Sequence, residues 1–205
     1  MKKNRMMMLA GAALVAGCAT VSDSQFHQHA VEVMRSSFAE RGQAKLDRLN
    51  QDEVQALCSR TPEDPRLTKA EEEKINATQK ASLRYPADGK LLGDWRAGEK
   101  IAQTGVGKQF SDNPNVPSGG NCYACHQLTK EEISYGTIGP SLYNFAKIRG
   151  YSEDMQKYAY GKVYNPQAYT ACSSMPRFGH NGILTEQQIK DVVALLMDPN
   201  SPVNK

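Results

Sequence analysis

Apolar residues recur at helical spacing in several stretches of the chain, and this pattern predicts a protein built from helices. The first stretch is 23–57, where Phe26, Ala30, Val33 (or its neighbour Met34) and Phe38 follow one another at three- and four-residue steps. Strict alternation of apolar and polar residues, which is typical of half-buried strands, is scarce. The sequence therefore predicts an all-α fold.

Start signals for further helices follow in the next part of the chain. Thr68 and Glu71 form a capping-box pattern, in which each side chain bonds the other residue's backbone amide. This pattern predicts a polar helix that runs to about residue 83. A short helix over 95–104 is predicted next, with its apolar residues grouped on or near one face.

Two more helices are predicted towards the C-terminus. Ser152 is a candidate N-cap for a helix that Gly161 would end, because glycine is the usual residue just after a helix. Thr185 and Gln188 repeat the capping-box pattern ahead of a helix with clean apolar spacing. Pro199 follows that helix and predicts its end.

The N-terminus has the pattern of an export signal. Lys2, Lys3 and Arg5 precede an apolar run over 6–17. This run is shorter than the ~20 residues that a membrane-spanning helix needs. Cys18 then stands where a bacterial lipobox places the cysteine that becomes lipidated. Ordinary signal cleavage just after it is the alternative.

The charge of the chain changes once the signal is set aside. The formal net charge of +3 comes from 25 basic and 22 acidic residues. Removing Lys2, Lys3 and Arg5 leaves 25 − 3 = 22 basic residues, which balance the 22 acidic ones. A neutral mature chain lacks the basic excess that marks a nucleic-acid-binding protein.

The most informative motif is Cys122-Tyr123-Ala124-Cys125-His126. A Cys-x-x-Cys-His run marks the covalent attachment of a c-type haem, whose two vinyl groups form thioethers with Cys122 and Cys125. The adjacent His126 then binds the iron from the proximal side. The alternative is a redox-active cysteine pair followed by an unrelated histidine.

Cysteine counting gives a second prediction. Of five cysteines, one lies in the lipobox and two in the haem motif, which leaves Cys58 and Cys172. In an oxidising compartment such a pair favours a disulfide, which would tie the N-terminal region to a late segment. Two unpaired thiols are the alternative.

The second axial ligand of the iron has several candidates. They are His27, His29, His180, Met155, Met175 and Met197, with Cys172 as a weaker thiolate candidate. Met175 is favoured because it lies in a loop and precedes Pro176, which restricts it to an extended backbone. A methionine within a helix is more often a packing residue. A neutral thioether ligand would raise the reduction potential.

The arrangement resembles class I cytochrome c. In that family, N- and C-terminal helices cross and hold the haem between them. Gly139-Pro140 resembles the family loop whose proline carbonyl accepts a hydrogen bond from the proximal histidine, so Pro140 would orient His126. A simple turn proline is the alternative. The predicted domains are a lipoprotein-type signal over 1–17, a helical extension over 18–93 and a class I cytochrome c domain over 94–205.

A longer run sharpens the resemblance. The run 175–185 resembles the signature of SoxX, the monohaem cytochrome subunit of the SoxAX sulfur-oxidation complex. The segments 121–126, 164–169 and 189–203 fit the same family, and 41–52 resembles the extension of its longer members. The lipobox departs from the family, whose members are usually soluble in the periplasm.

The resemblance implies an electron-transfer role in thiosulfate oxidation. SoxAX joins thiosulfate oxidatively to a carrier cysteine on SoxYZ, which is the chemistry of an L-cysteine S-thiosulfotransferase. The family places the catalytic haem on SoxA, so no catalytic residue is expected in this chain. Its one haem c would accept electrons and pass them to a small external cytochrome c.

The same resemblance implies a heterodimer with SoxA in the periplasm. A lipidated Cys18 would anchor the protein to the outer membrane, because the next residue is not the aspartate that retains lipoproteins at the inner membrane. The alternative function is a stand-alone lipoprotein cytochrome c of a respiratory chain, with no sulfur role. A haem enzyme would instead require an open sixth site at the iron.

Overall fold

The computed structural model describes residues 23–59 and 67–205. Within these ranges the protein is all α-helical, as predicted, and an isolated bridge between Arg41 and Ala44 is the only extended pairing. The predicted export signal and Cys18 lie outside the described residues. None of the helices in the described ranges is both long enough and apolar enough to cross a bilayer.

The chain divides into two compact units, 1–38 and 39–205. The described part of the first unit is helix α1, Asp23–Ser37. Its apolar residues Phe26 and Val33 are exposed, at 60% and 46% of their surface. The apolar spacing of this segment therefore reflects an amphipathic helix and not a buried one.

The prediction of continuous helix over 23–57 is wrong beyond Ser37. Arg41 and Ala44 bond each other's backbone across a tight turn, with Gly42 in the left-handed region at φ +50°. A 3₁₀ turn over Leu46–Leu49 follows, and regular helix resumes only after Asp52. Left-handed backbone cannot continue a right-handed helix, so the segment breaks.

The second unit contains six α-helices among its described residues. They are α2 Glu53–Cys58, α3 Lys69–Ala81, α4 Trp95–Gln103, α5 Phe145–Arg149, α6 Glu153–Tyr164 and α7 Glu186–Met197. Short 3₁₀ turns punctuate them at Leu46–Leu49, Cys122–Ala124, Pro166–Ala168 and Pro202–Asn204.

The predicted helix starts are confirmed. Thr68 caps α3 and Thr185 caps α7, each through a complete capping box. The Ser152 hydroxyl accepts from the Met155 amide at the start of α6. These caps satisfy amides that the first turn of a helix leaves without partners.

Gly161 does not end α6, contrary to prediction, because the helix continues to Tyr164. A Cβ at Gly161 would overlap the Tyr169 hydroxyl. Gly161 is therefore a packing position: its missing side chain makes room for a tyrosine from the following loop.

The core of the second unit is the crossing of α4 and α7. Gly98 allows the close approach, because a Cβ there would overlap the backbone carbonyl of Asp191. Asp191 is itself buried and accepts from the Asp94 amide at 2.9 Å, which fixes the start of α4 against α7. From Ile189 to Met197 every residue of α7 is buried.

The segment ahead of residue 94 belongs to the same compact unit as the rest. Helix α3 packs on the 3₁₀ turn Pro166–Ala168. The fully buried Asn165 amide donates to Gln79 at 2.9 Å and to Ser82 at 3.1 Å. The boundary at residue 94 stays a prediction, but a buried polar link joins its two sides.

Candidate haem site

The Cys-x-x-Cys-His motif folds into one tight turn. Cys122–Ala124 form a 3₁₀ turn that begins after Asn121, whose backbone is left-handed at φ +46°. The amides of Cys125 and His126 both donate to the Cys122 carbonyl, at 3.1 and 2.9 Å. This turn holds both thiols and the imidazole of His126 in one short segment, as covalent haem attachment requires.

Cys122 lacks the lowered pKa of a redox-active thiol. Cys122 and Cys125 are unbonded and half-buried. Burial raises the pKa of the Cys122 thiol to about 12. Redox-active Cys-x-x-Cys motifs need a lowered thiol pKa, because the thiolate is the reacting form. The raised pKa of Cys122 therefore disfavours a role in thiol–disulfide exchange.

The His126 ring is oriented by the loop that follows it. Its Nδ1 lies 2.7 Å from the Pro140 carbonyl oxygen. Since a carbonyl only accepts, Nδ1 carries the proton and Nε2 is the free nitrogen that can bind iron. The contact matches the role predicted for Pro140. The same bond makes the imidazole a better ligand.

Gly139 is a second element of the proximal side, and only its place before Pro140 singled it out in the sequence. Its amide donates to the Cys125 carbonyl at 2.8 Å. A Cβ at Gly139 would overlap the His126 ring. Glycine is therefore required for the loop to lie directly against the imidazole, with Pro140 in reach of Nδ1.

Met175 lies in the loop between α6 and α7, half-buried among apolar residues. It packs against the same apolar core cluster as Cys122. That cluster includes the buried rings of Tyr123 and Phe178. The structure thus brings the predicted sixth-ligand residue and one haem-attachment residue onto one apolar core. The role of Met175 as ligand stays a prediction.

The other methionine candidates pack as core residues. Met197 is only 2% exposed within α7. Met155 is half-buried near the start of α6 and packs against the apolar cluster. Both positions fit the expectation that a helical methionine fills space.

The remaining candidates are less suited as ligands. Cys172 is bonded to Cys58, so it offers no thiolate. His180 lies at the exposed end of the Met175 loop, and the partial burial of its ring, followed by the charge of Arg177, lowers its pKa. His27 and His29 lie on α1 in the other unit, and both are exposed.

The predicted pair Cys58 and Cys172 forms a disulfide, with the two Cα atoms 5.4 Å apart. It joins the end of α2 to the loop that carries Met175. A second contact joins the same two segments: the buried Arg177 guanidinium donates to the Asp52 carboxylate at 2.5 Å. Sequence reasoning missed Arg177 and Asp52.

Asp52 is both an N-cap and an ion-pair partner. Its carboxylate accepts from the Gln55 amide at 2.8 Å, and its own amide donates back to the Gln55 side chain at 2.9 Å. Partial burial works to raise the pKa of Asp52, but the hydrogen bonds from Gln55 and Arg177 outweigh it and hold the pKa below its ordinary value. The spacing of Asp52 and Gln55, which is that of a capping box, was the one sequence signal for the role of Asp52 as an N-cap.

These residues fit a c-type haem. The structure supplies two unbonded thiols, an imidazole with its proton fixed on Nδ1, and a thioether on a loop facing the apolar core. Thiols, imidazole and thioether are the donors that covalent haem attachment and axial ligation use.

Comparisons with known proteins point to the cytochrome c family. The sequence model of the cytochrome c family matches residues 106–198. An uncharacterized lipoprotein of Aquifex aeolicus (strain VF5) is 44% identical over 131 residues, which cover 62% of this chain. The chain spans about three fifths of that relative, since the alignment covers 60% of its length. The matched region, the all-α fold and the donor set together support a class I cytochrome c domain with covalently bound haem c.

Proposed function

We propose that this protein is an electron-transfer cytochrome whose single haem c is held by Cys122 and Cys125, with His126 and Met175 as axial ligands. The observation that carries the proposal is the 2.7 Å contact from His126 Nδ1 to Pro140, because it leaves Nε2 as the ligand nitrogen. A haem with two protein ligands supplies one-electron chemistry without an open site for oxygen.

The residues of the site keep that chemistry confined to electron transfer. Pro140 fixes the proton of His126 on Nδ1. Gly139 lets the loop lie against the ring, and the apolar cluster beside Met175 excludes water from the ligand side. A neutral thioether opposite an imidazole favours the reduced iron, so the protein is suited to accept electrons.

Haem stoichiometry and ligation test this proposal directly. The exported, haem-loaded protein should carry one haem by intact mass, and its ferrous form should not bind carbon monoxide at neutral pH. A ferrous protein that binds carbon monoxide readily would have an open sixth site and would contradict an electron-transfer role. Loss of attached haem in Cys122→Ala, with retention in Cys58→Ser, would assign the attachment cysteines.

We propose further that the electron donor is the oxidative coupling of thiosulfate to a carrier cysteine, with this chain as the SoxX subunit of a SoxAX complex. The support is the run 175–185, whose resemblance to SoxX is more specific than the haem motif. The segment 41–52 of the predicted 18–93 extension, which resembles the extension of longer SoxX members, lies in the same unit as the cytochrome region. The catalytic site would then lie on the SoxA-type partner.

Copurification tests the complex. A tagged chain, isolated under gentle lysis from cells oxidising thiosulfate, should bring a second haem subunit with it, in a one-to-one ratio by native mass. The control is the same isolation in high salt, which separates a partner held mainly by charge. Isolation of a monohaem chain without a haem partner under both conditions would overturn the SoxAX assignment.

A second candidate is a stand-alone lipoprotein cytochrome c. It is favoured by the name of the Aquifex aeolicus relative, an uncharacterized lipoprotein, and by the lipobox pattern around Cys18. In this proposal lipidated Cys18 anchors an extracytoplasmic protein to the outer membrane. Release of Cys18→Ser from the membrane fraction, with haem retained, would support the anchor. Equal membrane retention of both forms would contradict it.

A further inference from the structure

Helix α2 contacts the Met175 loop at two points, one on each side of the methionine. Cys172, three residues before Met175, is bonded to Cys58, the last residue of α2. Arg177, two residues after Met175, donates to Asp52, the N-cap of α2. The two ends of α2 therefore hold the two ends of the segment 172–177, which carries Met175.

The Arg177–Asp52 contact is buried at its arginine end and half-exposed at its carboxylate end. The Arg177 side chain is 7% exposed and that of Asp52 is 43% exposed. A buried guanidinium needs a partner, because an unpaired charge in the protein interior is strongly destabilising. Release of this end of the loop would therefore require Arg177 to become solvated or to find another acceptor.

The other end of the segment is held in an unfavourable backbone conformation. Cys172 has φ +55°, in the left-handed region that residues other than glycine rarely adopt. Such a conformation persists where surrounding contacts hold it, and here the covalent bond to Cys58 does so. Within the loop, the Met175 amide donates a hydrogen bond to the Ser173 hydroxyl at 3.3 Å.

Helix α2 is in turn connected to the rest of the unit. Glu53 pairs with Lys74 of α3 at 3.0 Å, and Val54 is buried. A cleft of about 200 Å³ lies between α2, α3 and the loop, lined by Arg177 and His180 among others. The disulfide and the Arg177–Asp52 pair join α2 to the loop beside this cleft.

We infer that α2 is a two-point brace for the sixth-ligand loop, and that Asp52, Arg177 and Cys58 are positioning residues that keep Met175 at the iron. This inference rests on the proposed function, in which Met175 is the axial ligand. It assigns a role in ligand retention to a segment outside the cytochrome c match, since α2 precedes residue 106.

Carbon monoxide binding measures the effect. Carbon monoxide competes with Met175 for ferrous iron, so its apparent affinity rises in proportion to the fraction of protein with the methionine released. We expect the haem-loaded double variant Cys58→Ser/Cys172→Ser to bind carbon monoxide roughly tenfold more tightly than the wild type. Asp52→Asn, which keeps a capping oxygen but loses the charge, should give a rise of about threefold.

The matched control is Glu73→Gln, which removes one negative charge, as Asp52→Asn does. It breaks an exposed ion pair with Lys69 that lies wholly within α3 and joins no two segments. Its carbon monoxide affinity should equal that of the wild type. The sulfur-to-iron charge-transfer band of each ferric variant gives a second readout, and it should weaken in the order in which carbon monoxide affinity rises. Circular dichroism checks that each variant is folded.

The outcomes separate the two proposals. If Met175→Ala raises carbon monoxide affinity but the brace variants match Glu73→Gln, the brace is wrong and the ligand assignment stands. If Met175→Ala itself leaves the affinity and the band unchanged, Met175 is not the ligand and the proposed site fails. Should the double serine variant not fold, Asp52→Asn and Arg177→Gln still decide the inference.

Discussion

His126 and Met175, the two predicted iron ligands, are held in different ways. The contacts of His126 are local: its motif folds into one turn, and its ring bonds Pro140 a short way along the chain. The Met175 loop is held from far away, by a disulfide whose partners are 114 residues apart in the sequence. One ligand side therefore depends on a motif, and the other on the fold of the N-terminal extension.

This difference predicts that the two sides fail separately. Changes in the extension should release the methionine while the thioethers and His126 stay in place. Changes in the proximal loop should disturb His126 without loosening the contacts of α2. In functional terms, the attached haem should be retained in both cases, and we expect changes in the extension to alter the reduction potential and the access of small ligands.

The largest expected loss of stability comes from removing the disulfide. Cys58→Ser/Cys172→Ser should lower the free energy of unfolding by about 2–5 kcal/mol, because a long loop is freed in the unfolded chain. Urea unfolding of the haem-loaded protein measures it. The wild type treated with a reductant serves as the control and should fall to the same midpoint. Equal urea midpoints for the untreated wild type and the double serine variant would contradict a stabilising role of the disulfide.

The proximal loop should tolerate even one methyl group poorly. Gly139→Ala should lower the free energy of unfolding by about 1–3 kcal/mol, since the new Cβ overlaps the His126 ring. Ile138→Ala is the control in the same loop, because Ile138 is 78% exposed and its loss should cost less than about 0.5 kcal/mol. If thermal unfolding shows equal losses of stability for Gly139→Ala and Ile138→Ala, the requirement for glycine beside the His126 ring is contradicted.

The next-largest loss of stability should come from breaking the buried hydrogen bonds between Asn165 and the segment ahead of residue 94. Asn165→Ala should cost about 1–3 kcal/mol, because it removes buried hydrogen bonds to Gln79 and Ser82. The double variant Asn165→Ala/Gln79→Ala should cost less than the sum of the single variants. Additive losses in urea unfolding would mean that the two amides act independently.

The smallest effect is a pH dependence that comes from Asp52. Its pKa is lowered from the ordinary value of 3.8, so its stabilising contribution is present above that value and is lost as pH falls through the lowered pKa. Because the Asp52 side chain is 43% exposed, the contribution is discounted to less than about 1 kcal/mol. The stability difference between wild type and Asp52→Asn should shrink as pH falls below 3.8; a constant difference would contradict it.

Local features of the fold were predictable from sequence. Thr68 and Thr185 carry capping boxes whose partners stand three residues away, so spacing alone identifies them. The haem motif and Pro140 are equally local. The break after Ser37 was not predicted, because the apolar spacing continued through a left-handed turn at Gly42.

Long-range contacts were less accessible to sequence reasoning. The pairing of Cys58 with Cys172 followed from counting cysteines, which works because a disulfide has few possible partners. Arg177 and Asp52 gave no such signal, since an arginine can pair with any nearby acceptor. The role of Gly161 was also missed, because it depends on a tertiary contact. A Cβ at Gly161 would overlap Tyr169, which lies in the following loop.

The central claim is that His126 and Met175 are the axial ligands of one covalent haem. The most direct test compares the ferric charge-transfer band and the reduction potential of haem-loaded wild type, Met175→Ala and Met155→Ala. Met175→Ala alone should lose the band and lower the potential by on the order of 100 mV. Retention of the band in Met175→Ala, or its loss in Met155→Ala, would contradict ligation by Met175.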